Sequence, residues 1–149
     1  MKKLIAEIFE LPNGSLLPQL YCIDEDGQVS RSITDTLLDT IAELSPKAAT
    51  ELDSFLAVVE SGRYEPQELS LPDWSINEKL IWVTPPRARR GYLVITNENI
   101  PEYSLDDGQP QEFSMQQFRS AMAHWKNFQK LVQKKGKESL VGEKFEVDF

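Results

Sequence analysis

Apolar and polar positions alternate along the first thirty residues in the manner of antiparallel strands. The pattern predicts a strand over residues 3–11 and another over 15–23, and Asn13-Gly14 between them is typical of a two-residue type I′ turn. A cluster of acids and a glycine at 24–27 turns the chain into a short third strand over 28–30. We therefore expect an N-terminal meander.

The spacing of apolar residues then changes to that of two helices. The first is predicted from apolar side chains at helical intervals, Ile33, Leu37, Leu38, Ile41 and Leu44. In the second, Ser45 is the predicted N-cap, Pro46 the first helical residue and Gly62 the stop. Residues 63–75 contain two prolines and are expected to form a long connection.

The second half of the chain predicts a hairpin, a long helix and a last strand. Residues 79–84 and 91–97 are rich in β-branched and aromatic side chains and surround a basic tip at 85–90. After a turn-rich loop over 98–111, Ser114 and Gln117 form a predicted capping box. The helix that follows has an apolar stripe and ends at Gly136, and residues 143–149 alternate as a strand that rejoins a sheet.

Together these elements predict an α+β fold. We expect an antiparallel sheet built from the N-terminal meander and the central hairpin, packed against the helical pair and the long C-terminal helix. A chain of 149 residues, 40% of them hydrophobic, buries about 70% of its unfolded surface. We therefore expect a single domain over residues 1–149.

The apolar runs are too short to cross a membrane, and Glu7 and Glu10 interrupt any signal-like start. The single cysteine, Cys22, lies in a strand-like run and is expected to be a buried, inert thiol. One cysteine forms no internal disulfide, which is typical of a reducing compartment. We expect a cytoplasmic protein with no membrane partner.

Charge is divided unevenly between the two halves. Residues 1–78 contain fifteen acids and five bases, whereas residues 79–149 contain nine acids and eleven bases, and the chain has a net charge of -8. An acidic half attracts basic surfaces and repels nucleic acid and anionic membranes. The candidate partner-binding residues lie on the two predicted helices and in the turn before them: Asp24, Asp26, Asp35, Asp39, Glu43, Glu51 and Asp53.

Asp35, Asp39 and Glu43 are four residues apart, so they share one face of the first predicted helix. In length, charge and this carboxylate-rich helical region, the chain resembles the immunity proteins that bacteria make against their own secreted toxins. The resemblance implies a cytosolic inhibitor that blocks the basic, nucleic-acid-binding cleft of a nuclease-type toxin. A solvated surface, or internal pairing with basic side chains, is the competing interpretation of the same acids.

Basic residues form two smaller groups. Arg87, Arg89 and Arg90 lie at the hairpin tip, and a basic flank runs along the C-terminal helix at residues 119, 126, 130 and 134. Three arginines on one loop supply too few phosphate contacts to hold a duplex, so no nucleic-acid partner is expected. Both groups are candidates to neutralise the acidic half within the molecule.

The sequence contains no glycine-rich phosphate loop, no paired-histidine zinc helix and no nucleophile elbow. We accordingly expect a protein without enzymatic activity, cofactor or metal. The alternative is a small enzyme or ligand-binding domain, with a pocket near Trp82, Tyr92, Trp125 and His124. His124 is the only histidine, so any catalytic scheme that needs an imidazole depends on it.

Overall fold

The computed structural model describes residues 1–61, 74–83, 87–97 and 110–149. In chain order its strands and helices are β1 Lys3–Glu10, β2 Leu16–Ile23, α1 Arg31–Leu37, a π-helical segment Leu38–Ala42, α2 Pro46–Glu60, β3 Trp74–Ile76, β4 Lys79–Trp82, β5 Tyr92–Asn97, β6 Gln111–Ser114, α3 Met115–Lys135, a 3₁₀ turn Glu138–Leu140 and β7 Phe145–Asp148.

The α+β prediction is confirmed, with one difference in how the strands are grouped. The described strands form two antiparallel sheets, ordered β2-β1-β7 and β3-β4-β5-β6, where a single sheet was expected. In the first sheet β1 is the central strand, and the C-terminal strand β7 pairs with its second edge. In a single sheet, a strand of the central hairpin would have had to pair with β1 at that edge. The other edge strand, β2, contains Pro18 and donates the amide of Cys22 to the Thr34 hydroxyl of α1, 3.0 Å away.

The first hairpin has the predicted strands and a different turn. Positive φ falls on Gly14, at 83°, and not on Asn13, so the turn is not type I′. The amide of Leu11 donates to the carbonyl of Ser15 at 2.8 Å, which closes a three-residue loop, and the Asn13 side chain accepts from the Ser15 amide at 2.9 Å. The predicted third strand is reduced to an isolated bridge between Ile23 and Val29.

A two-residue turn with positive φ at both positions occurs elsewhere, at Asn77 and Glu78, with φ of 47° and 66°. This is the combination that type I′ requires, and it joins β3 to β4. The strand β3 begins inside the segment predicted as a connection, residues 63–75. Residues 63–73 of that segment lie outside the described part of the chain, as does the predicted helix stop Gly62. The hairpin of β4 and β5 is confirmed, with Ile81 opposite Ile95.

Helix starts agree with the capping signals. Ser45 caps α2 by accepting from the Ala48 amide at 3.1 Å, and Pro46 is the first helical residue. At α3 the Ser114 hydroxyl accepts from the Gln117 amide at 3.0 Å and the Gln117 side chain accepts from the Ser114 amide at 2.9 Å. This is the predicted capping box, and the helix ends at Gly136 as expected.

Two further segments depart from expectation. The first predicted helix is α-helical for seven residues and then widens into the π-helical segment. The end of the predicted loop over 98–111 contributes Gln111 to β6, which pairs with β5, while residues 98–109 lie outside the described residues. The predicted last strand is confirmed, because β7 pairs antiparallel with β1.

The hydrophobic core joins both sheets to the helices. Leu4, Ala6 and Ile8 of β1 belong to the same buried cluster as Ile81 of β4 and Phe118 of α3. Alternate residues of β1 thus face the helices, and the intervening residues face the opposite side of the first sheet.

Candidate functional site

Asp35 and Asp39, two of the predicted partner-binding acids, surround a buried lysine. Lys79 of β4 is 5% exposed, and its ammonium lies 2.8 Å from Oδ2 of Asp35 and 3.5 Å from Oδ2 of Asp39. The ammonium also donates to the side-chain carbonyl of Asn97 on β5. We call these four residues the Lys79 cluster, and it ties the first helical segment to the second sheet.

The π-helical segment brings the second carboxylate to this cluster. Asp35 lies in α1, and Asp39 is the second residue of the π-helical segment. The backbone carbonyl of Asp39 accepts a hydrogen bond from the Asn77 side chain at 3.0 Å. Burial raises the pKa of the Asp39 carboxyl, and the neighbouring Asp35 raises it further, while Lys79 opposes both. Two carboxylates share one cation, so the cluster keeps a surplus of one negative charge.

A second cation with two carboxylates joins α2 to α3. Arg119 of α3 donates to Asp53 and, through Nε at 2.7 Å, to Glu60 at the end of α2. Partial burial lowers the pKa of the Arg119 guanidinium, but the hydrogen bonds that it donates to the two carboxylates outweigh this effect and raise the pKa. Asp53 is therefore paired within the molecule, and this Arg119 cluster also keeps one surplus negative charge.

The remaining predicted acids lie in three places. Asp24 has a structural role in the turn before α1, because its Oδ1 accepts from the amides of Asp26 and Gln28, both at 2.9 Å. Asp26 is exposed at that turn, Glu43 follows the π-helical segment, and Glu51 lies on the exposed side of α2. Among the residues that the structure describes, Glu43 and Glu51 make no ion pair.

The basic hairpin tip pairs with its own sheet. The Arg89 guanidinium lies 3.6 Å from the centre of the Tyr92 ring and 2.9 Å from Glu112 on β6. Arg87 lies over the Trp82 ring at 4.9 Å. The two ring contacts are cation–π interactions, and the contact of Arg89 with Glu112 is an ion pair within the same sheet.

The basic flank of α3 divides in the same way. Arg119 pairs with α2, as described above, whereas Lys126, Lys130 and Lys134 are exposed. Within the described ranges these three lysines form no ion pair. Among the described residues, the ion pairs that join basic side chains of the second half to the acidic helices are therefore those of Lys79 and Arg119, and each basic side chain meets two carboxylates.

One residue of the predicted alternative pocket, Tyr92, lies beside a groove, and the other three, Trp82, Trp125 and His124, are not among the residues that line that groove. Tyr92 borders an open groove of about 680 Å³ between the end of α2, the start of β5 and the start of α3, together with Arg90 and Met115. Trp125 lies ten residues beyond Met115 on α3, about 15 Å along the helix axis. Trp82, outside the residues that line the groove, donates from its indole Nε1 to the Thr96 hydroxyl at 3.0 Å.

His124 contacts the first sheet. Its Nε2 lies 3.0 Å from the carbonyl oxygen of Phe145 on β7, and burial lowers the pKa of the imidazole. This contact holds α3 against the last strand, and among the described side chains no acid is hydrogen-bonded to the ring.

Cys22 is fully buried, and burial raises the pKa of its thiol to about 11. The predicted buried position of the cysteine is confirmed. Within the described residues, no group of three or more histidine, cysteine or acidic side chains could hold a metal ion. No described helix is both long and apolar enough to span a membrane.

No known relative was found. Comparison of the chain with protein-family models, with curated proteins and with solved structures gave no match in any of the three. The function is therefore argued from the residues and contacts of the chain itself.

Sequence reasoning missed two interactions and had a signal for one of them. Lys79 is in phase with the buried residues Ile81 and Val83, and a lysine at a core-facing strand position predicts a buried ion pair. The second is a hydrogen bond from the Tyr21 hydroxyl to Glu7 across the first sheet. Both residues are on the side of β1 and β2 opposite the core, and the alternation of apolar and polar residues in the sequence does not predict their contact.

Proposed function

We propose that this chain is a non-enzymatic, cytoplasmic binding protein whose acidic surface engages a basic protein partner, and that the partner is a bacterial toxin domain that it neutralises. The proposal rests chiefly on one observation: Lys79 and Arg119 each meet two carboxylates. In the described part of the chain, the pairing of Lys79 and Arg119 thus leaves an excess of carboxylates on the acidic helices.

Local charge counts support the same conclusion. Residues 1–61 contain eleven acidic and four basic side chains. Asp26, Glu43 and Glu51 are exposed, and none of them makes an ion pair with another residue in the described ranges. A surplus of this kind raises the association rate with a cationic protein surface and makes that rate fall as salt is added.

The test uses the polypeptide encoded by the gene beside that of this chain as the candidate toxin. The variant Glu43→Gln/Glu51→Gln removes two unpaired acids and leaves the Lys79 and Arg119 clusters intact. The matched control, Glu138→Gln/Glu143→Gln, removes the same charge from exposed positions beyond α3. Association rates are measured by surface plasmon resonance at several salt concentrations.

We expect the test variant to associate about three to ten times more slowly at low salt, with a shallower salt dependence, and the control to resemble the wild type. Equal rates for both variants would remove Glu43 and Glu51 from the docking field. A complete absence of binding, together with undiminished toxicity when the two genes are co-expressed, would contradict the proposed function.

The groove beside Tyr92 supports a second candidate, a ligand-binding domain or small enzyme. Arg90 is exposed at its rim, and Val59, Val83 and Met115 give it an apolar lining. A thermal-shift screen with metabolites and metal ions tests this candidate. A ligand whose stabilisation is lost in Arg90→Gln would favour it, and no stabilisation by any ligand would count against it.

A further inference from the structure

The long helix α3 is basic although the chain as a whole has a net charge of -8. Its 21 residues contain no acidic side chain and five basic ones, Arg119, Lys126, Lys130, Lys134 and Lys135. Arg119 is paired with α2, whereas Lys126, Lys130 and Lys134 recur every four residues and are exposed. We call these three residues the lysine stripe.

The lysine stripe points away from the core. The buried residues Phe118, Ala121 and Trp125 define the core side of α3, and at 3.6 residues per turn the stripe lies on the opposite side of the helix. It extends about 12 Å along the helix axis. None of the three lysines forms an ion pair with a described residue, so their charge is available to a second molecule.

The complementary charge is found on the helices of the first half. Residues 31–60, which include α1, the π-helical segment and α2, contain six acidic and two basic side chains. Once Lys79 and Arg119 are paired, Glu43 and Glu51 are exposed and make no ion pair with a described residue. The helix α3 packs against the π-helical segment, so the acidic helices and the lysine stripe belong to neighbouring elements.

Neighbouring surfaces of opposite charge distinguish between the possible anionic occupants of the stripe. A nucleic acid or an anionic membrane would cover only the three lysines, which are few phosphate contacts, and the acidic helices would repel it. A second copy of this chain has a lysine stripe for the acidic helices and acidic helices for the lysine stripe. One contact between two copies therefore covers both surfaces.

We infer that two copies of this chain dock through these surfaces, with the lysine stripe of each copy against Glu43 and Glu51 of the other. Each copy supplies one surface of each sign, so the same pairing occurs twice about a twofold axis. The ion pairs are exposed and each contributes little, so the dimer is weak and its formation depends on salt. The inference goes beyond the proposed function and involves no other protein.

Sedimentation velocity of the full chain tests this association directly. At about 20 mM salt we expect a dimer with a Kd of about 100 μM, and at about 500 mM salt we expect a monomer. The variant Lys126→Gln/Lys130→Gln/Lys134→Gln should weaken the dimer at least about tenfold at low salt. The matched control, Lys2→Gln/Arg90→Gln/Lys144→Gln, removes the same charge from exposed positions outside α3 and should associate like the wild type.

A charge exchange makes the test specific to a second copy. The variants Glu43→Lys/Glu51→Lys and Lys126→Glu/Lys130→Glu/Lys134→Glu should each be monomeric, because side chains of like charge then face each other. Mixed in equal amounts at low salt they should form a heterodimer, because both pairings are restored with reversed sign. Starting from -8, the two variants have net charges of -4 and -14, so attraction between the whole molecules does not explain their association.

Three results would overturn the inference. The first is a wild type that sediments as a monomer at low salt and high protein concentration. The second is a matched control that loses as much affinity as the lysine variant. The third is a mixture of the two charge-reversed variants that does not associate. Because no other protein is present in these experiments, none of the three results bears on the proposed function.

Discussion

Replacement of Lys79 by methionine is the sharpest test of the Lys79 cluster. Methionine keeps most of the apolar stem that packs between α1 and the second sheet, and it removes the ammonium. Asp35 and Asp39 then face each other without a cation, and the side-chain carbonyl of Asn97 loses its donor.

The expected loss of stability follows from burial and exposure together. Removing one partner of a buried ion pair costs about 3 to 5 kcal/mol. Here the Asp35 side chain is 53% exposed and that of Asp39 is 25% exposed, so water solvates part of the charge left behind. We therefore expect Lys79→Met to lower the free energy of unfolding by about 2 kcal/mol and Tm by about 6 °C.

The loss should depend on pH in a defined direction. The pKa of Asp39 is already above its ordinary value in the folded protein, and removal of Lys79 takes away the one influence that lowers it. A carboxyl whose pKa is raised in the folded state binds its proton more tightly when the protein is folded. Its ionised form therefore lowers the free energy of unfolding at neutral pH, and this loss disappears as pH falls through the folded-state pKa. The difference between variant and wild type should therefore shrink between pH 7 and pH 4.

Urea unfolding at pH 7 and pH 4.5 measures both quantities. The double variant Lys79→Met/Asp39→Asn should recover about 1 kcal/mol at pH 7, because it removes the less exposed of the two carboxylates and leaves the half-exposed Asp35. Lys126→Met on the exposed side of α3 is the matched control and should unfold like the wild type. A loss below about 0.5 kcal/mol, or one equal at both pH values, would refute the account of this cluster.

Three further predictions concern single contacts. Ser114→Ala removes the hydroxyl that caps α3 and should cost about 1 kcal/mol in urea unfolding, and an unchanged midpoint would show that the Gln117 half of the capping box suffices. Tyr21→Phe leaves the buried Glu7 without its hydrogen-bond donor and should lower the free energy of unfolding by about 1 to 3 kcal/mol. Absorbance at 295 nm of the folded wild type should show no ionisation of Tyr21 below pH 11, and ionisation of Tyr21 near pH 10 would contradict the contact. Cys22, whose thiol pKa is raised to about 11, should not react with a disulfide reagent at pH 8 until the protein is unfolded, and rapid labelling of the native protein would contradict its burial.

Local signals predicted the parts of the fold that depend on local chemistry. The capping box at Ser114, the serine–proline start of α2 at Ser45 and the glycine stop at Gly136 all act within a few residues. Their outcome was therefore readable from spacing alone. The last strand was also predicted, because the alternation over residues 143–149 requires one buried side.

The errors share a cause, since each depends on partners distant along the chain. Asn13-Gly14 is the dipeptide of a two-residue turn, yet pairing of Leu11 with Ser15 extended the loop to three residues. Asn77 and Glu78 have the positive φ angles of a type I′ turn although neither is a glycine. The pairing of β3 with β4 imposes these φ angles on the turn. The division into two sheets likewise depended on β7 reaching the free edge of β1.

The candidate site shows the same limit. Helical spacing placed Asp35 and Asp39 on one face correctly, but it contained no information on Lys79, which is 44 residues from Asp35. Charge counts predicted that basic residues of the second half could neutralise the acidic half. The contacts of β4 and α3 were needed to identify Lys79 and Arg119 as those residues and to show that each meets two carboxylates.

The central claim is that the chain neutralises a basic toxin domain by binding it. The most direct measurement is the activity of the purified polypeptide of the neighbouring gene, titrated with this chain at physiological salt. The account predicts that activity falls linearly and is abolished at an equimolar ratio. Full activity in the presence of a tenfold excess of correctly folded chain would contradict it.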